Sequence, residues 1–146
     1  MKTRQMIITA ALLFCLTTLV PSTLAESGGI PVGSYSTTVN LADIPPDFPP
    51  EVVEILVGTW VTQLTEDGST IVRKNGELVA YGTYTTSKSY LVFRDKGGPL
   101  ACTDAHGIAT GVYSWTLENG ELTLSPILDR CYGRMFVLTL RPLQQL

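Results

Sequence analysis

The sequence predicts an all-β protein, an eight-stranded up-and-down antiparallel barrel with a short N-terminal helical turn. Three observations lead there. From Gly58 onward apolar and polar residues alternate at period two, as a strand with one buried face requires. Asp67-Gly68, Asn75-Gly76 and Asn119-Gly120 are hairpin signals, because such pairs readily take the positive φ of tight turns. No segment is long enough for the crossover helix that parallel strands need. Eight meandering strands in so short a stretch favour closure, which removes exposed edges. A two-sheet sandwich is the alternative, but its Greek-key connections usually need longer loops.

Residues 1–25 are read as a signal peptide outside the fold. Lys2 and Arg4 precede the apolar run "MIITAALLFCLTTLV", and "PSTLA" ends in Ala25 with Thr23 at the minus-three position. The run falls short of the about 20 apolar residues of a span, so no stable membrane anchor is expected after cleavage. Phe14 beside Cys15 argues against a lipoprotein cleavage box. The expected location is therefore secreted or periplasmic. Cys15 leaves with the leader, and the remaining pair, Cys102 and Cys131, reads as one disulfide in an oxidising compartment. Two thiols and one distant histidine fall short of tetrahedral zinc, so no metal or other cofactor is expected.

The whole chain carries 10 basic and 13 acidic residues. Losing Lys2 and Arg4 leaves 8 against 13, a formal charge of −5. No basic stripe remains to grip phosphates, which excludes nucleic acid as a natural partner. Without the leader the chain is long enough for one domain.

Residues 26–46, "ESGGIPVGSYSTTVNLADIPP", form a Gly/Pro-rich lead-in to a barrel domain spanning 47–146. Within it "SYSTTVNL" alternates and suits an edge strand of open position. In "DFPPEVVEILV", Asp47 is placed to cap a helix of one or two turns opening on its prolines. Eight strands are then expected at about 57–65, 69–74, 77–86, 89–95, 99–104, 109–117, 121–128 and 134–141. Gly97, Gly98 and Pro99 crowd the start of the fifth.

Strand parity puts Trp60, Thr62 and Leu64 on one face, and Gly111, Tyr113, Trp115 and Leu117 on another. Leu122 and Leu124, then Phe136, Leu138 and Leu140, extend the apolar set. Leu78, Ala80, Gly82 and Tyr84 align on the third strand, Leu91 and Phe93 on the fourth. A barrel of this size is either packed by its own side chains or holds one small ligand. Small inward residues (Ala80, Gly82, Ala109, Gly111) leave space beside large ones, although glycine also relieves barrel bends. If the space is real, Tyr84, Leu91, Phe93, Tyr113, Trp115 and Leu124 are the expected ligand contacts.

In a closed barrel the expected last strand pairs with the first, which brings Arg134 over Trp60 as a cation–π lid. Gly58 lets the chain turn from the helical segment into the strand. Gly58, Thr59 and Trp60 behind a helical turn, with an arginine at the last strand, resemble the lipocalin and wider calycin pattern. The rhythm of "YGTY", "GVYSW" and "GELTL" is similar to that of small secreted bacterial lipocalin-like proteins. The resemblance covers about 57–141. It implies non-catalytic binding of a small hydrophobic molecule, with Gly58, Trp60 and Arg134 as a structural end-cap. The chain departs from larger lipocalins in its length, tight loops and lack of a long C-terminal helix, which favours a shallow or filled calyx. Asp129, five residues before Arg134, either orients it or serves a turn.

Chemistry is sparse. His106, the single histidine, lies with Asp104 in the turn "DAHG", and no serine or cysteine has the context of a triad. Asp43, Asp47 and Glu51 are too scattered for paired-carboxylate hydrolysis. The expectation is therefore not an enzyme. Arg73 faces outward beside Lys74 or, in the other register, inward toward an acid headgroup; the outward register is favoured. The rival function is a secreted protein-interaction or inhibitor module, with a filled barrel presenting 26–46 as an arm.

Overall fold

The computed structural model describes residues 28–103 and 109–146. The leader expected over 1–25, and both Asp104 and His106, lie outside the described residues. The elements are β1 (Gly33–Val39), α1 (Pro50–Leu56), β2 (Gly58–Leu64), β3 (Ser69–Lys74), β4 (Glu77–Thr86), β5 (Tyr90–Gly97), β6 (Thr110–Glu118), β7 (Glu121–Asp129), α2 (Tyr132–Thr139) and β8 (Leu143–Gln145). The eight strands close into an antiparallel barrel in chain order. The end that carries α1 is the upper end of the barrel.

The hairpin turns obey their local chemistry. Asn75 and Gly76 (φ 51° and 88°) and Asn119 and Gly120 (φ 52° and 82°) take the paired positive φ of a two-residue loop. Gly58 enters β2 at φ 143° with the Asn75 side chain packed against its Cα, so a Cβ there meets Asn75 Oδ1 at 2.9 Å. Asn75 Oδ1 also accepts from Thr59 N at 2.9 Å. The glycine before the tryptophan thus serves a strained backbone against a neighbouring turn.

Four expectations change. The lead-in does not stand apart from the barrel, because β1 pairs with β2 along its whole length, from Gly33 opposite Leu64 to Val39 opposite Gly58. Tyr35, Thr37 and Val39 point inward and are buried, so the alternating segment whose position was open is a wall strand between β2 and β8. Residues 99–103 form no strand; they turn at Gly98 (φ 115°), and Leu100 N bonds Val79 O at 2.9 Å. The helix cap is Pro49 rather than Asp47, with Pro50 in the first turn.

The fourth change shapes the barrel most: 134–141 is not a strand, because α2 runs through Thr139. Val137 and Leu138 are both buried. Consecutive strand residues face opposite sides, whereas consecutive helix residues lie about 100° apart and can both point inward. The short apolar run "MFVL" does not reveal which period it adopts. The true last strand, β8, pairs only with Glu121 and Leu122 of β7 and with Tyr35 and Ser36 of β1. Above it α2 packs against β7 and β1 and fills the wall.

One parity expectation also moves. Leu78 is 45% exposed while Val79 and Ala80 are both buried. Opposite β4, Val72 pairs with Ala80 and Arg73 with Leu78, which leaves Val79 as a β-bulge that exchanges the faces below and above it.

Cys102 and Cys131 form a disulfide across 29 residues of sequence, with Cα atoms 6.0 Å apart. It ties the turn after β5 to the residue that caps α2. Loop-closure entropy assigns a loop of this length about 3–4 kcal/mol. Replacing both cysteines with alanine should lower the unfolding free energy by about that amount, as read by denaturant titration under non-reducing conditions.

Candidate functional site

The barrel interior has two parts. In the lower part Tyr35, Leu64, Tyr84, Leu91, Tyr113 and Leu124 pack into one core with Phe93 and Leu138. In the upper part Val39, Leu56, Trp60, Val79 and Val137 form a second core beneath α1. A cavity of about 130 Å³ lies against the upper core, with apolar walls from Leu56, Val72, Val79, Phe93 and Leu138. Ile55, Leu100, Gly133 and Arg134 line it as well. Ile55 and Gly133 are exposed, which puts the open side between α1 and the start of α2.

Of the six expected ligand contacts, Phe93 alone lines this cavity. Tyr84, Leu91, Tyr113 and Leu124 are filler of the lower core, and Trp115 packs at its margin. The Tyr84 hydroxyl donates to Thr65 O at 2.8 Å and Trp115 Nε1 to Ser87 O at 3.0 Å, so both close the lower end. Cavity residues that sequence reasoning did not place inward include Val72 and Thr70 on β3, Val79 at the bulge and Val137 on α2, whereas Ala80 and Leu138 were in its inward set. The inward alternation of β3 was available as a signal; the bulge and the helix carried none.

Trp60 and Arg134 both line the cavity, but they are anchored separately. Trp60 Nε1 donates to Leu56 O at 2.8 Å, which pins α1 over the barrel end. The cation above the indole is Lys74, its Nζ 5.8 Å from the ring centroid. Lys74 Nζ also donates to Glu54 O at 2.7 Å, where a positive charge suits the carbonyl end of a helix. Arg134 lies on α2 and is held by Asp129 in a two-point bond, Nε to Oδ2 at 2.7 Å and Nη2 to Oδ1 at 2.8 Å. Nη1 donates to Ala109 O at 2.8 Å and lies 3.2 Å from Asp95 Oδ2. Arg73, by contrast, is exposed on the outer face of β3.

This ion cluster uses nearly every acceptor it has. Asp129 Oδ1 accepts from Cys131 N at 2.8 Å, and Oδ2 accepts from the Tyr113 hydroxyl. Asp95 Oδ2 accepts from Cys102 N at 2.9 Å. Gly111 makes room for it: a Cβ there would collide with the Asp129 carboxylate. The space that small inward residues promised is thus partly occupied by charge. Burial alone would lower the Arg134 pKa, but the bonds to Asp129 and the charges of Asp95 and Asp129 outweigh it and raise the value. Burial first, then the Asp129 bond and charge, raise the Tyr113 pKa.

Two buried hydroxyls, Thr37 Oγ1 and Thr70 Oγ1, have no hydrogen-bond partner. Thr70 lines the cavity. Among the described residues no group of three or more His, Cys, Asp or Glu is arranged to hold a metal. No protein-family model matches the chain, and comparison with curated proteins and with solved structures finds no match.

Breaking a buried ion pair from one side costs up to about 3–5 kcal/mol, and Asp95, 3.2 Å from the guanidinium, keeps Arg134 paired when Asp129 is neutralised. Asp129→Asn should therefore be destabilised by less than that full amount in denaturant titration, yet by more than Asp95→Asn, which leaves the two-point bond intact. Tyr113 adds a pH dependence. Its folded pKa is raised, so its contribution is complete below the unfolded tyrosine value of about 10 and declines as pH rises above it. The stability difference between wild type and Tyr113→Phe should therefore shrink between about pH 9 and pH 11, measured by unfolding at each pH.

Proposed function

We propose that this chain is an exported, lipocalin-like protein that binds a small hydrophobic molecule without catalysis, in the upper half of its barrel. The observation that carries this reading is the apolar cavity in the upper half, above a lower half where buried side chains pack into one core. A barrel meant only to be stable has no use for a cavity beside its upper core, since voids forfeit packing contacts. The size limits the cargo. An enclosed apolar cavity of about 150 Å³ takes benzene, whereas drug-sized ligands occupy pockets of about 300–1,000 Å³. At about 130 Å³ the cavity suits one ring or a short branched chain, not a fatty acid. Export rests on the N-terminal leader, and the Cys102–Cys131 bridge is compatible with it. Among the described residues no helix is long and apolar enough to cross a membrane.

The interaction-module reading has less support. Residues 33–39 of the would-be arm are a wall strand, hydrogen-bonded on both sides over Tyr35 and Ser36.

Filling the cavity is the direct test. Benzene should raise the melting temperature of the wild type in a concentration-dependent way, by about 2.7 kcal/mol of added stability at a hundredfold excess over Kd. Ala80→Leu, which projects a larger side chain from the cavity wall, should abolish the shift. A wild type that responds to neither benzene nor other single-ring hydrocarbons would sink the proposal.

A further inference from the structure

We infer that the cargo is a neutral single-ring compound carrying one hydroxyl, of which phenol is the simplest, with the hydroxyl bonded to Thr70. This inference rests on the reading of the cavity as a binding site. Three observations converge on it.

The first is the unsatisfied hydroxyl. Thr70 is 2% exposed, lines the cavity, and its Oγ1 has no partner. Buried polar atoms are nearly always hydrogen-bonded, and one staggered step about χ1 carries the hydroxyl to the position the methyl now holds. A group placed in the cavity can thus meet it. Thr70 pairs with Leu64, at the lower end of β2. The polar end of the cargo therefore enters first and the apolar remainder lies toward Val72, Phe93 and Leu138.

The second is charge. Asp95 and Arg134 line the same cavity, and the guanidinium is already bonded to Asp129, Asp95 and Ala109 O. Two carboxylates around one guanidinium make this side net negative, which repels a carboxylate headgroup. A hydroxyl both donates and accepts, as the threonine hydroxyl does, so the two match without any charge. The third is size, since about 130 Å³ admits one ring.

The test compares benzene, phenol and benzoate by titration calorimetry on wild type, Thr70→Val and Thr70→Ser. Thr70→Val keeps the shape and removes the hydroxyl; Thr70→Ser keeps the hydroxyl. The expected result is a phenol-to-benzene affinity ratio that falls about tenfold in Thr70→Val, stays near the wild-type value in Thr70→Ser, and no binding of benzoate. Benzene binding by Thr70→Val shows that the variant is folded. A ratio unchanged in Thr70→Val, or benzoate bound as well as phenol, overturns the hydroxyl assignment and leaves the binding site standing. No binding of benzene or phenol by the wild type overturns both.

Discussion

The two-point bond between Arg134 and Asp129 fixes the corner at which β7 passes into α2. Asp129 ends β7 and Arg134 stands in the first turn of α2, so the bond fixes the direction in which the helix leaves the strand. Through Ala109 O, Asp95 and the Tyr113 hydroxyl the same cluster reaches β5, β6 and the segment between them. The amides of Cys102 and Cys131 bond its carboxylates, so the disulfide and the ions brace one corner together. A cluster of this kind is a stability risk if incomplete, because each charge lies away from water. Gly111 keeps it complete by leaving the carboxylate room.

That corner explains how a helix takes the place of a strand. An eighth strand over 134–141 would close the barrel by hydrogen bonds to β7 and β1. Instead β8 supplies closure for two residue pairs on each side, and α2 covers the rest with side chains. A helix is wider than a strand, and its buried residues reach farther inward. Leu138 joins the lower core and Val137 the upper one, so α2 bridges the two. The cavity lies where the reach of these residues ends and the bulge at Val79 turns β4.

The division of the interior bears directly on function. In the lower half, aromatic side chains pack the barrel, and the hydroxyls of Tyr35 and Tyr84 and the indole of Trp115 bond backbone carbonyls at the lower end. In the upper half, Trp60 is held by Leu56 O and topped by Lys74, which leaves the indole as wall rather than plug. The aromatic residues that suggested a binding site are thus mostly what makes the floor solid. The cavity itself is lined mainly by aliphatic residues of α1, β3, β4 and α2, together with Trp60, Phe93, two threonines (Thr62 and Thr70) and one edge of the ion cluster.

What the sequence determined by itself was local. Positive-φ turn pairs, period-two alternation and the proline-led helix placed β2 to β7 within one or two residues, apart from the strand expected at 99–104. The two late cysteines were legible because few partners were available to them. Three things were decided only in three dimensions. Whether "MFVL" is helix or strand depended on the gap it had to fill between β7 and β1. The face of Leu78 depended on a bulge set by the register with β3. The partner of Trp60 depended on β3 lying beside β2, which put Lys74 over the indole and left Arg134 to the carboxylates. Each is a contact between residues distant in the chain, and period and propensity carry no information about those.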